Sequence, residues 1–124
     1  MAQTRQILEA NDNVTDTLRE AMSHVPPHLA AGVAQKFTAL FEMYEEGHDW
    51  KVPAQCNVEG DLEARRKFYA LKVKQVRCYG WYYRGNFVIS HYIYKKQQKL
   101  SKADTRAVQE NYRAWLQTIG EENE

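Results

Sequence analysis

The sequence is poor in the features that announce most kinds of chemistry. It has two cysteines, Cys56 and Cys78, 22 positions apart and without a CxxC pair, so neither a zinc site nor a disulfide framework is indicated. No apolar run approaches the ~20 residues that cross a bilayer. The opening MAQTRQILEA lacks the apolar stretch and small-residue cleavage site of a secretory signal. The expectation is a cytoplasmic protein with no membrane contact. GxSxG, Gly-rich phosphate loops and HExxH are all missing, which leaves hydrolase and nucleotide-binding readings without a motif. The most informative absence is of acids. From Arg65 to Lys102, a stretch of 38 residues, there is no Asp or Glu.

That stretch holds 11 of the chain's 17 Lys and Arg, and the other 86 residues hold 6 cations and all 16 acids. The net charge of +1 is therefore an average of two unlike parts, a positive face and an acidic remainder. At 124 residues, 44% hydrophobic and 27% charged, the chain is long enough for one packed domain spanning 1–124.

Local patterns divide it further. TRQILE reads as a short edge strand or a frayed helical turn. With Asn13 as cap, Val14, Leu18, Met22 and Val25 recur at helical spacing until Pro26 and Pro27. The prolines open a second helix with Leu29, Val33, Phe37, Leu40, Phe41 and Tyr44 on one face, ended by Gly47. His48 to Asp61 reads as a loop. FYALKVKQVRCYGWYYRGNFVISHYIYKK has strand composition, with turns at Lys74–Gln75 and Gly85–Asn86. Ser101 with Asp104 starts a last helix that carries Val108, Tyr112, Trp115, Leu116 and Ile119 to Gly120. The expected fold is α+β: an N-terminal helical hairpin on an antiparallel three- to four-stranded sheet, then a C-terminal helix.

Those turns set the pairing. Lys72 opposes Arg77, and Arg77 opposes Tyr94, in one row across three strands flanked by Tyr79, Tyr92 and Trp81. The opposite face carries Tyr69, Leu71, Val73, Val76, Cys78, Ile89 and Ile93 against the helices. His91 falls on that apolar face, unless the register slips by one residue. Directly opposed cations destabilise a sheet by up to roughly 1 kcal/mol per pair, so Lys72 against Arg77 points to an anion. Interleaved aromatics offer stacking for bases, and basic plus aromatic on one sheet face is the footprint of RNA or single-strand binding. The plainer reading is a solvated cationic face. His24 and His28 are separated by the prolines and read as surface turn residues. Glu45, Glu46, His48 and Asp49 at a helix end read as solvated, and no metal site is expected.

FYALKV, VRCYGWYYRGN and HYIYKKQQKLSKAD resemble the "YELRV" strand, "yRvly" hairpin and "hgFvKKtqktp" strand end of the RelE/ParE toxin superfamily, in its HigB-like, phage-associated branch. The likeness runs from about Thr15 to Trp115 and is sharpest at Lys95, Lys96, Gln98 and Lys99. Ala70, Leu71 and Lys72 stand for the family's Glu-Leu-Arg, Tyr92 and Ile93 for its Gly-Phe, and Ser101 for its proline. A lysine there keeps the charge but loses the bidentate fork. The resemblance implies a RelE-like fold and the toxin of a type II toxin–antitoxin system. Such a toxin is an endoribonuclease that cleaves mRNA, usually on the ribosome, by 2′-hydroxyl attack, with no metal or other cofactor. A cognate antitoxin, expected to carry a helix-turn-helix domain, neutralises it. Catalysis would fall to Arg77 on the phosphate, Lys72 assisting or acting as base, and Tyr94 as acid or base. Lys74, Lys95, Lys96 and Lys99 would hold the RNA backbone, with Tyr79, Trp81 and Tyr92 beside them. The alternative is a non-enzymatic ParE-like gyrase inhibitor or a phage-derived nucleic-acid-binding regulator.

Overall fold

The computed structural model describes residues 4–96 and 100–120. The chain runs β1 (Ile7–Glu9), α1 (Val14–Met22), α2 (Pro27–Glu45), β2 (Cys56–Asp61), β3 (Lys67–Val73), β4 (Val76–Tyr83), β5 (Asn86–Tyr94) and α3 (Lys102–Ile119). The fold class is α+β as expected, but the sheet has five strands in the order β1-β5-β4-β3-β2 and is mixed, not antiparallel with three to four strands, because β1 and β2 add to its two edges. β1 lies parallel to β5, and every other pair is antiparallel.

The helices form where periodicity and breakers place them. Asn13 occupies the cap position of α1 without a side-chain capping bond. Pro27 starts α2, and Gly47 follows it at φ 99°. Ser101 Oγ accepts the Asp104 backbone N–H at 3.0 Å, closing the first turn of α3, and Gly120 ends that helix in the left-handed region.

Both faces of the sheet are covered. Val14, Ala21, Val33, Phe37 and Leu40 of α1 and α2 pack on Leu71, Val73, Val76, Cys78 and Ile89. Val108, Tyr112 and Trp115 of α3 pack on Phe68, Ala70, Tyr79, Trp81 and Val88. The face expected to be open therefore holds a second core.

Three further expectations are corrected. The helical hairpin is not the first element, because Ile7–Glu9 precedes it as an edge strand. The supposed loop from His48 to Asp61 ends in β2, which pairs with β3. CNVEGD carries little apolar pattern because it is an edge strand, held by backbone pairing more than by side-chain burial. Gly60 is needed there, since a Cβ would lie 2.5 Å from the Phe68 ring.

The third correction concerns register. The β3–β4 pairing is as expected, with Lys72 opposite Arg77 and the turn at Lys74–Gln75, Lys74 taking φ 54°. The β4–β5 turn instead uses Arg84 and Gly85, at φ 51° and 84°, and Asn86 pairs with Tyr83. Positive φ at both central residues suits the twist of the strands. Farther along, Gly80 pairs with Ile89 but Tyr79 with His91, so Ser90 is an extra residue in a β-bulge. Gly80 permits it: a Cβ there would run into the Val88 carbonyl and come within 2.7 Å of the Phe87 ring. Beyond the bulge every side chain of β5 changes face. His91 and Ile93 turn toward α3 beside Tyr79 and Arg77, while Tyr92 and Tyr94 turn toward α1 and α2 beside Cys78 and Val76.

Candidate functional site

The cations meet at one end of the sheet, not across its face. The β3–β4 turn carries Lys74, β4 begins with Arg77 in its second position, and β5 runs out into Lys95 and Lys96. The Lys95 N–H donates to the Gln75 carbonyl at 2.6 Å, which ties the end of β5 to that turn. Lys99 lies outside the described residues.

Arg77 is half-buried and folded over the turn, where Nη1 donates to the Lys74 carbonyl at 2.7 Å and to the Val76 carbonyl at 3.3 Å. Lys72 opposes it and lines a groove of about 410 Å3 between α2 and β3, with Lys36 and Lys74. Tyr94 does not complete the row. It pairs with Val76, and its ring stacks on His24 at the end of α1, with centroids 5.5 Å apart. His24, read from the sequence as a surface turn residue, thus stands beside one of the candidate catalytic groups.

The three expected stacking aromatics are core residues. Trp81 is fully buried against Tyr112 and Trp115, at 5.1 and 5.8 Å between ring centroids. Tyr79 is fully buried between Phe68 and His91. Tyr92 is buried with its ring edge-on to Phe37, and its N–H donates to Thr17 Oγ1 at 3.0 Å. Burial pushes the Tyr79 and Tyr92 phenols well above the ordinary tyrosine range, so both hydroxyls are neutral.

The bulge creates a polar chain that sequence reasoning missed. Ser90 and His91 both face α3. Asn111 Nδ2 donates to Ser90 Oγ at 2.9 Å, Ser90 Oγ lies 3.0 Å from His91 Nδ1, and His91 Nε2 lies 3.2 Å from Asp104 Oδ1. Ser101 Oγ donates to the other Asp104 oxygen at 2.7 Å. An ionised Asp104 requires His91 to carry its proton on Nε2, so that Nδ1 accepts from Ser90 and every donor in the chain has an acceptor. The only sequence signal was the open possibility of a one-residue slip at His91.

Burial lowers the His91 pKa and outweighs the Asp104 carboxylate, which pulls it upward. The unfolded chain therefore takes up this proton before the folded one does. The neutral histidine's contribution to stability is full above the ordinary histidine pKa and is lost as the pH falls through and below it. Between about pH 7.5 and about pH 5.5, around the ordinary histidine value, the melting temperature of the wild type is expected to drop more than that of His91→Gln. Equal drops would assign the acid sensitivity elsewhere.

A cleft of about 230 Å3 opens between the end of β5 and the start of α3, lined by Lys95, Lys96, Tyr94, Tyr79 and Asp104 among others. Among the described residues, no group of three His, Cys, Asp or Glu side chains is placed to hold a metal ion, and no helix is long and apolar enough to cross a membrane. Fold and site together define an α+β protein with a cationic sheet end built around one half-buried arginine. No protein-family model matches this chain, and no curated protein does.

Proposed function

We propose that this chain is the toxin of a type II toxin–antitoxin pair, of the RelE/ParE superfamily and its HigB-like branch, acting in the cytoplasm. In this reading it is an endoribonuclease that cleaves mRNA on the ribosome and is neutralised by an antitoxin with a helix-turn-helix domain. The observation that supports it is the gathering of Lys74, Arg77, Lys95 and Lys96 at one end of the sheet, where β4 begins and β5 ends and the Lys95 N–H is tied to the β3–β4 turn.

The attacking 2′-hydroxyl belongs to the substrate, so the protein's part is a base for that hydroxyl, charge on the crowded phosphate and an acid for the leaving oxygen. Arg77 supplies the charge, already oriented by its bonds to the turn, and Lys72 adds to it. Tyr94 and the imidazole stacked on it are the groups for proton transfer, histidine being the side chain suited to that work near neutral pH. Lys74, Lys95 and Lys96 hold the flanking phosphates.

One observation favours the non-enzymatic reading, a gyrase inhibitor or nucleic-acid-binding regulator. Tyr94 and Arg77 project from opposite faces of the sheet. Induced expression followed by primer extension on cellular mRNA separates the two. Growth arrest with new 5′ ends inside translated codons is the expected result. Arrest with intact message would falsify the nuclease reading and leave the inhibitor.

A further inference from the structure

We propose, on the reading that this chain acts on RNA, that the cleft between β5 and α3 receives a single nucleobase and prefers one carrying an amino group. Small-molecule sites commonly span about 300–1,000 Å3. At about 230 Å3, this one has room for one ring system and not for an extended ligand.

Its lining has the character a base requires. Ile93 and Leu100 supply apolar walls. Tyr79, also part of the lining, is fully buried, and its hydroxyl has no hydrogen-bond partner among the described residues. An unsatisfied buried hydroxyl carries a desolvation penalty that an acceptor on a bound ring removes. Asp104 also lines the cleft, each oxygen held by one donor, His91 Nε2 or Ser101 Oγ. An ionised carboxylate has about four acceptor positions, so each oxygen retains capacity for an N–H. The Asn111–Ser90–His91 chain behind it fixes the carboxylate's orientation without reaching into the cleft.

A flat ring with an N–H for Asp104 and a ring nitrogen or carbonyl for Tyr79 satisfies both. Adenine, cytosine and guanine offer an amino group; uracil does not. Carboxylates accept from the cytosine amino group in known base recognition. Lys95 and the exposed Lys96 line the same cleft and suit the phosphate that accompanies the base.

The test is a titration of isotope-labelled protein, followed by amide chemical shifts, with the 5′-monophosphates of adenosine, cytidine, guanosine and uridine. Ribose 5-phosphate is the control. The amino-bearing nucleotides are expected to shift the Ile93, Leu100 and Asp104 signals and to bind at least about threefold tighter than the uridine nucleotide, the scale of one net hydrogen bond. Ribose 5-phosphate is expected to move only the lysine signals.

Tyr79→Phe is expected to weaken binding by about three- to tenfold while the melting temperature holds or rises, a pairing that a merely structural hydroxyl does not produce. Leu100→Trp, which fills the cleft, is expected to abolish the Ile93 and Asp104 shifts. Equal affinity for all four nucleotides, ribose 5-phosphate shifting the same signals, or Tyr79→Phe binding like wild type would each overturn the proposal. The endoribonuclease reading is judged separately, by mRNA cleavage in cells. Cleavage without base preference removes the pocket alone, and base preference with intact message removes the nuclease alone.

Discussion

Trp81→Ala is expected to destabilise the protein by about 3–5 kcal/mol, the range for deleting a large aromatic from a packed interior. The indole is fully buried, and the rings of Tyr112 and Trp115 pack on it from α3 in T-shaped contacts. Removing it leaves a void on which neither the strand nor the helix can close fully. Denaturant unfolding, followed by tryptophan-independent circular dichroism, measures the loss. A Trp81 that served as an exposed stacking platform would behave oppositely, with stability within about 0.5 kcal/mol of wild type and RNA affinity reduced. The result therefore decides between a core and a binding surface on this face of the sheet.

Arg77→Ala is expected to reduce mRNA cleavage by about 100-fold or more, the scale seen when one preorganised donor to a developing oxyanion is removed. Stability is expected to fall by only about 1–2 kcal/mol, the net worth of the bonds from Nη1 to the Lys74 and Val76 carbonyls. The separation of these two magnitudes is the test. A variant that folds with a slightly lowered midpoint yet leaves message intact on induction supports Arg77 as the phosphate-stabilising group. Arg77→Lys sharpens it, since lysine keeps the charge but not the planar fork, and partial recovery is expected. If Arg77→Ala cleaved message at the wild-type rate, the cationic sheet end would not be the site.

Much of the architecture was legible before the structure. Pro26–Pro27, Gly47, the Ser101–Asp104 pair and Gly120 mark helix ends by local chemistry, and they stand where the helices begin and stop. The β3–β4 register was legible too: neither Lys74 nor Gln75 favours positive φ, but a two-residue turn between them sets the pairing and alternation carries it along both strands. β2 was not legible, because an edge strand such as CNVEGD needs little apolar pattern.

The second core left a signal that the charge argument obscured. In β4, the run CYGWYY is apolar or aromatic at odd and even positions alike, as in a strand buried on both faces. Reading one of those faces as a nucleic-acid surface assigned Tyr79 and Trp81 to solvent, whereas α3 covers them. The amphipathic stripe of Val108, Tyr112 and Trp115 required a surface to bury against, and with α1 and α2 on one side of the sheet, the other side was the one left.

The sequence by itself determined the class, α+β, the helix boundaries and the concentration of cations between Arg65 and Lys102, because each depends on composition or on neighbours a few residues apart. The tertiary structure alone decided which of those cations meet and which aromatics stay hidden. A single extra residue at Ser90, accommodated by Gly80, moves Tyr94 away from Arg77 and brings His91 to Asp104. The period-two pattern is blind to that insertion, since one residue inverts every assignment beyond it while leaving the composition unchanged.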